Sequence, residues 1–483
     1  MSKLVRLFTS LLFLFLLPAR YAGGYSLLTH EQLIDLTWEA SIVPLLKSRY
    51  PTLTDAQLEH ARAYAYGGCV IQDIGYYPFG DSFFSDLTHY VRSGDFVVNL
   101  FRNAGNADEL AFAVGALSHY IGDSVGHADS TNLAVPVEFP KLGQRYGRSV
   151  NYAEGKSQHI RTEFAFDINE ISRGRFAPVH YLRHVGLEVP QRQLELAFYQ
   201  TYGLAEDFSA GKGRRVNVRG YRFAVRNFIP RIAYAVTLLH RHSEPPVVDS
   251  PDLQRLASEL STVASKNHWD LYRRRAGIGT YSLAGVLYVL PRIGPLKLAA
   301  VKGPHADTDR DYIHSVLRST DALNFTVRRF TPPPATRLSA AKAAAKDVNS
   351  QPPPTDPLPA KLGAGQTVPR GSSDPRHPLR NRDLDTGSVV RPGGYPLTDA
   401  TYCRLVHRLA ANPAQPVPPG IKADILAYYA DRDVNFATKT HPAAWKTLQA
   451  DLATLQTIPT NNEPLPYPTY GSDEGDPSGD ATY

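Results

Sequence analysis

The chain is poor in cysteine. Cys69 and Cys403 are the only two in 483 residues, which excludes a disulfide framework and a cysteine-rich zinc module. A single bridge between them stays open, and Cys69 by itself reads as a small buried residue. Long hydrophobic runs are also missing. Leu7 to Leu17 and Ile278 to Leu290 both fall short of the roughly 20 apolar residues that span a bilayer. There is no internal repeat, no glycine-rich phosphate loop and no nucleophilic serine or cysteine motif. Charge of either sign is modest. The 52 Lys and Arg against 46 Asp and Glu leave +6, with a pI near 9.0. That balance suits an anionic surface or substrate without specifying nucleic acid.

What is present is enough apolar material for a sizeable core, 43% of residues, in a chain long enough for one large domain with extensions. Lys3 and Arg6 precede the first apolar run, and Pro18, Ala19 and Ala22-Gly23-Gly24 follow it. This is the layout of a secretory signal peptide over residues 1–24, so the expected location is secreted or periplasmic. Cleavage after Gly24 makes Tyr25 the new N-terminus; a cut after Ala22 is the alternative. Helical patterning then dominates residues 25–330. Many of the 38 prolines fall after Phe330, and residues 331–396 read as a Pro-rich disordered linker. A small helical segment is expected over 397–459 and a structureless acidic tail over 460–483. The fold class is all-α.

Chemistry-bearing side chains sit on the helical stretches at helical spacing. Ala107 to His127 holds His119, Asp123 and His127, each four residues after the last. A step of four returns to nearly the same helix face, about 40° off. Leu110, Ala113, Val114 and Leu117 would dock that helix into a core. His159 and Glu163 repeat the step on a later helix, and Asp167 continues it as an outer partner or a surface acid. His30 lies at the start of a helix to Lys47, Asp73 near the end of another from about Thr54, and His89 within a third. Gly67-Gly68 inside a helix predicts close backbone packing. Imidazole and carboxylate are what zinc takes when no thiolate is offered. His180 and His184 form a rival pair without a carboxylate. Tyr76, Tyr77, Phe79, Phe83 and Phe84 form an aromatic loop, read as core packing or as a pocket wall. After His127 the chain is Pro-punctuated and expected to be irregular. The apolar run behind Arg273-Arg274-Arg275 reads as a buried helix or as a basic, apolar edge that touches membrane.

The ordered set His30, Asp73, His89, His119, Asp123, His127, His159, Glu163, within YSLLTH, VIQDIGYYP, DLTHYV, HYIGD and HIRTE, resembles the zinc-dependent phospholipase C family. That family shares its fold with S1/P1-type nucleases. The resemblance implies an all-helical bundle with three zinc ions and phosphodiester hydrolysis. It would give one zinc to Asp73, His89, His119 and Asp123. A second would go to His127, His159 and Glu163. A third would go to His30, to Asp123 as a bridge, and to the amine and carbonyl of Tyr25. Asp73 is also the candidate base for the attacking water. This chain departs from the family in Tyr25, where the family usually has Trp, and in the short step from Asp123 to His127. The substrate expected is phospholipid or another phosphodiester. Nucleic acid belongs to an alternative, an S1/P1-type nuclease or nucleotidase. The other alternative is a non-catalytic secreted protein stapled by zinc.

Overall fold

The computed structural model describes residues 26–77, 80–206, 208, 218–240, 249–274, 276–289, 301, 303–330 and 379–461. The expected signal peptide, Tyr25, Phe79, Arg275, residues 331–378 of the expected linker and residues 462–483 of the tail lie outside them. The described residues contain no strand, only two isolated bridges, Arg382 with Val389 and Val417 with Thr460. The all-α expectation is met.

The first half runs through α1 (Leu27–Thr37), a π turn, α2 (Val43–Arg49), α3 (Asp55–Gly68), a 3-10 turn (Ile71–Gly75), α4 (Ser82–Tyr90), α5 (Ser93–Arg102) and α6 (Ala107–Gly126). A π turn (His127–Thr131), α7 (Asn132–Glu138), α8 (Pro140–Tyr146), α9 (Tyr152–Ser172), α10 (Val179–Val185) and α11 (Gln191–Tyr202) follow. Then come α12 (Val218–Phe223), a π turn (Ala224–Phe228), α13 (Ile229–His240), α14 (Pro251–Lys266), α15 (Trp269–Tyr272), α16 (Ile278–Val289) and α17 (Ala306–Phe330). The C-terminal group is α18 (Pro396–Ala410), α19 (Pro419–Tyr428) and α20 (Pro442–Thr457).

Helix α6 is the axis, with α1, α2, α3, α5 and α17 packed around it. Its mostly small and apolar sequence is buried on every side from Leu110 onward, as a helix without a polar face must be. Asn106 starts it by accepting from the Glu109 N–H at 2.9 Å. The glycines of α3 set the closest approach. A Cβ on Gly68 would lie 2.1 Å from the Phe112 carbonyl oxygen, and one on Gly115 would lie 2.2 Å from that of Ala65. Any side chain there would force the central pair of helices apart. Cys69 and Cys403 are unbridged.

Two expectations are corrected. The stretch after His127 is helical: Pro140 opens α8 at a first-turn position where its missing N–H costs nothing, and Pro136 lies inside α7, where the Asn132 carbonyl accepts from the Val150 N–H at 2.9 Å instead. Residues 379–390, part of the stretch assigned to the linker by composition, are largely packed. Leu379, Asn381, Arg382, Asp383, Leu384 and Asp385 are all buried. They form a strap along α4, α5 and α6. The Leu384 N–H donates to the His89 carbonyl at 3.0 Å, Ser93 Oγ donates to the Arg382 carbonyl at 2.7 Å, and the Tyr120 hydroxyl donates to the Arg380 carbonyl at 2.6 Å. Backbone bonds such as these leave no periodic trace in a sequence.

Candidate metal centre

Helix α6 does not aim its triplet at one point. His119 and Asp123 join His30 in one group, His119 joins Asp73 and His89 in a second, and His127 joins His159 and Glu163 in a third. Each group offers donor atoms within 4.8 Å of one another. The drift of about 40° per four residues separates His127 from His119. The π turn begins at His127 itself and re-aims the chain toward α9, so a step of only four serves two different groups. His30 comes from α1, Asp73 from the 3-10 turn, His89 from α4, and His159 and Glu163 from α9. All eight side chains are buried, the least so being Asp73 and Glu163 at 4% exposed.

Asp123 is the hub. Its Oδ1 lies 3.1 Å from His30 Nε2, and its Oδ2 lies 3.3 Å from His89 Nε2 and 3.1 Å from His119 Nε2. Asp73 Oδ1 is 3.3 Å from His89 Nε2. In the third group Glu163 Oε1 is 3.6 Å from His127 Nε2 and 3.2 Å from His159 Nδ1. Zinc with ligands at about 2.0–2.2 Å in a tetrahedron spaces neighbouring donors about 3.3–3.6 Å apart, close to these values.

The outer ring nitrogens decide what the inner ones can do. His89 Nδ1 lies 2.8 Å from the Ser85 carbonyl, His119 Nδ1 3.0 Å from that of Cys69, and His127 Nδ1 2.7 Å from that of Leu384. His159 uses Nε2 instead, 2.9 Å from the Val150 carbonyl. A carbonyl oxygen only accepts, so each imidazole keeps a proton on its outer nitrogen. In the neutral ring the inner nitrogen is then a bare lone pair. His89 Nε2 and His119 Nε2 face each other at 3.4 Å, and Glu163 Oε1 faces two more such nitrogens. Lone pair against lone pair repels unless protons or a cation lie between. Asp73 Oδ1 and His127 Nε2 are buried, and their charged neighbours are His89 at 3.3 Å and Glu163 at 3.6 Å. The donor set therefore fits zinc, with second contacts to backbone carbonyls of the kind that orient metal-ligating histidines.

Without metal the groups must be charged by protons. Burial lowers the His89 pKa, but hydrogen bonds and charge from Asp123 and Asp73 reverse this and hold it well above the usual value. Burial likewise opposes the charge on Asp123, and His119, His30 and His89 together hold its carboxyl well below the usual range. His30 is lowered, by burial and then by His119. For His127 burial is outweighed by the Glu163 hydrogen bond and by the charges of Asp385, Asp123 and Glu163, which raise it to about 9. A sign follows from this last value. With an unfolded pKa of about 6.5, protonated His127 stabilises the metal-free fold fully below about pH 6.5, and that contribution is lost as pH rises through about 9. Zinc needs the neutral ring. Zinc binding at pH 7 is therefore expected to release a proton from His127 and to tighten between pH 6.5 and 9. Calorimetry in buffers of different ionisation enthalpy measures this, and an absence of proton release would refute it.

One contributor was not legible beforehand, and another had been left open between two readings. The strap supplies the Leu384 carbonyl that holds His127. Next to it Asp385, buried, accepts from the hydroxyls of Tyr90 at 2.9 Å and Tyr395 at 2.7 Å. Asn132 Nδ2 donates to the Asp385 carbonyl at 2.8 Å. The other contributor is Asp167, which is buried rather than on the surface. Its carboxylate accepts from the Leu28 N–H at 3.1 Å and from Thr29 Oγ1 at 3.0 Å. It thereby caps the first turn of α1 from outside and sets the height of His30. Tyr25, the expected donor for the third zinc, lies outside the described residues. His180 and His184 stay apart from the site; both are exposed, and His184 pairs with Glu59 at 3.3 Å. Of the aromatic loop, Phe83 and Phe84 are core. The Tyr76 ring lies 5.5 Å from that of His89, and Tyr152 lies 5.8 Å from His159.

Residues 29–206 match the family described as zinc dependent phospholipase C. No curated protein and no solved structure matches the chain.

Proposed function

The chain belongs to the zinc dependent phospholipase C family through residues 29–206, and from that premise we propose that it is an exported phosphodiester hydrolase, a phospholipase C, with three zinc ions. The observation that supports this most is the set of inward lone pairs on His89, His119, His127 and His159, each fixed by a backbone carbonyl on its outer side. Zinc bound there would acidify a water to a pKa near 7 and offset the charge of the phosphoryl oxygens.

The chain's own groups then have separate tasks. Asp123 touches three imidazoles and ties the first two groups together, with the mature N-terminus of Tyr25 as a further donor. Asp73 is among the least buried of the eight, and its Oδ1 has His89 Nε2 at 3.3 Å. It is the acceptor for the proton of the attacking water. Glu163 holds the inner faces of His127 and His159. Burial keeps water from competing for these contacts and strengthens each of them.

Hydrolysis of phosphatidylcholine by the purified mature protein, abolished by chelator and restored by zinc, is the expected result. Cleavage of single-stranded DNA in its place would favour the nuclease reading. The near-complete burial of all eight donors favours a second reading, a zinc-stapled protein without catalysis. Retained zinc with no turnover of lipid, DNA or a short-chain phosphodiester would select that one. N-terminal sequencing of the exported protein should begin at Tyr25.

A further inference from the structure

Helix α16 reads IGTYSLAGVLYV and has no charged residue. One side packs on α13 and buries Ala284 and Leu287. The other is bare. Ile278 is 87% exposed, Tyr281 58%, Tyr288 70% and Val289 80%. Their spacing of three, ten and eleven from Ile278 puts them on one side of the helix, with Ser282 and Gly285 beside them. Large apolar side chains scattered singly over a surface need no explanation, but a contiguous helical face of them does. At twelve residues α16 is about 18 Å long, and among the described residues no helix is long and apolar enough to cross a membrane.

The elements around this face carry arginine. Arg273 and Arg274 lead into α16, both exposed. Arg231 lies on α13, the helix that α16 packs on, and Arg183 on α10 lies close enough to it and to Arg226 on the π turn for their charges to disfavour its own. The Arg183 pKa is lowered by burial and then by Arg231 and Arg226. Arg183 and Arg226 bond to each other's backbone carbonyls. Among the described residues none of Arg183, Arg226, Arg231 and Arg274 has a carboxylate at ion-pair distance.

We propose that α16 and its arginine border form a docking face for an anionic lipid bilayer, with α16 lying along the surface. Ile278, Tyr281, Tyr288 and Val289 enter the boundary between headgroups and acyl chains, where tyrosine's apolar ring and polar tip are both satisfied. The arginines meet lipid phosphates. Charge chooses this occupant over a second copy of the chain. A two-fold pairing through α16 would set one arginine border against another, whereas an anionic surface neutralises it.

The test is sedimentation of the zinc-loaded mature protein with vesicles of phosphatidylcholine alone or mixed with phosphatidylglycerol. Wild type should partition to the mixed vesicles, and more weakly as salt is raised. The pair Tyr281→Ser with Tyr288→Ser, and separately Arg231→Glu with Arg274→Glu, should each lower that partition at least about tenfold. Hydrolysis of a soluble short-chain phosphodiester should be unchanged in both. Equal partition of wild type and variants, or no preference for anionic lipid, overturns the proposal. So does a wild-type dimer in sedimentation velocity that the tyrosine pair converts to monomer. The proposal does not rest on catalysis: vesicle binding without turnover leaves it standing while the hydrolase reading falls, and turnover without vesicle binding does the reverse.

Discussion

Asp123→Asn is expected to lower phosphodiester hydrolysis about a thousandfold or more, which is roughly 4 kcal/mol of lost transition-state stabilisation. The substitution keeps the shape of the side chain and removes one negative charge. That charge lies within 3.1–3.3 Å of His30, His89 and His119, so its loss weakens two metal groups together. An amide nitrogen in place of one oxygen also presents a donor that an inner imidazole lone pair can accept, which occupies a lone pair that zinc would use and adds no zinc ligand of its own. His30→Asn should cost less, because His30 belongs to one group only. Zinc per chain, measured beside the rate, separates lost metal from lost chemistry. A variant with full zinc content and full rate would show that Asp123 does not bridge.

Gly387→Val is expected to weaken zinc at the His127 group by about ten- to a hundredfold, although residue 387 touches no donor atom. Gly387 has φ +68°, and a Cβ there would lie 2.2 Å from the Ser124 carbonyl oxygen. A β-branched side chain is strained in that backbone region wherever it has room, and here it has none. The turn that holds the strap on α6 must lift. The Leu384 carbonyl then leaves His127 Nδ1, the ring loses the contact that fixes its proton on the outer nitrogen, and the charge of Asp385 moves away. Stepwise titration with a competing chelator reads the three groups separately. The first two should bind as in wild type. Unchanged affinity at the third would mean that the strap is only packing.

The clustering of His, Asp and Glu side chains was legible in part because helical spacing leaves a local signature. A step of four from His119 to Asp123, and again from His159 to Glu163, places two donors on one face and needs no knowledge of the rest of the chain. Buried α6 was legible for the same reason, since Leu110, Ala113, Val114 and Leu117 repeat at the helical period. The strap was not. Residues 379–396 have the proline and glycine content of a linker, and what holds them is hydrogen bonding of their backbone to the His89 carbonyl and to the Ser93 and Tyr120 hydroxyls, at least 260 residues away in the chain. Asp167 was ambiguous from sequence because a step of four from Glu163 is equally compatible with a surface acid. Only the arrival of α1 buries it. The division of His119, Asp123 and His127 between groups depends on a π turn, which has no recognisable sequence code.

The most direct measurement is anomalous X-ray scattering at the zinc edge from crystals of the zinc-loaded mature protein. Peaks are expected between His30 and Asp123, between Asp73, His89 and His119, and between His127, His159 and Glu163. Zinc-loaded crystals with no peak in any of these three places, or with metal only at surface histidines such as His180 and His184, would contradict it.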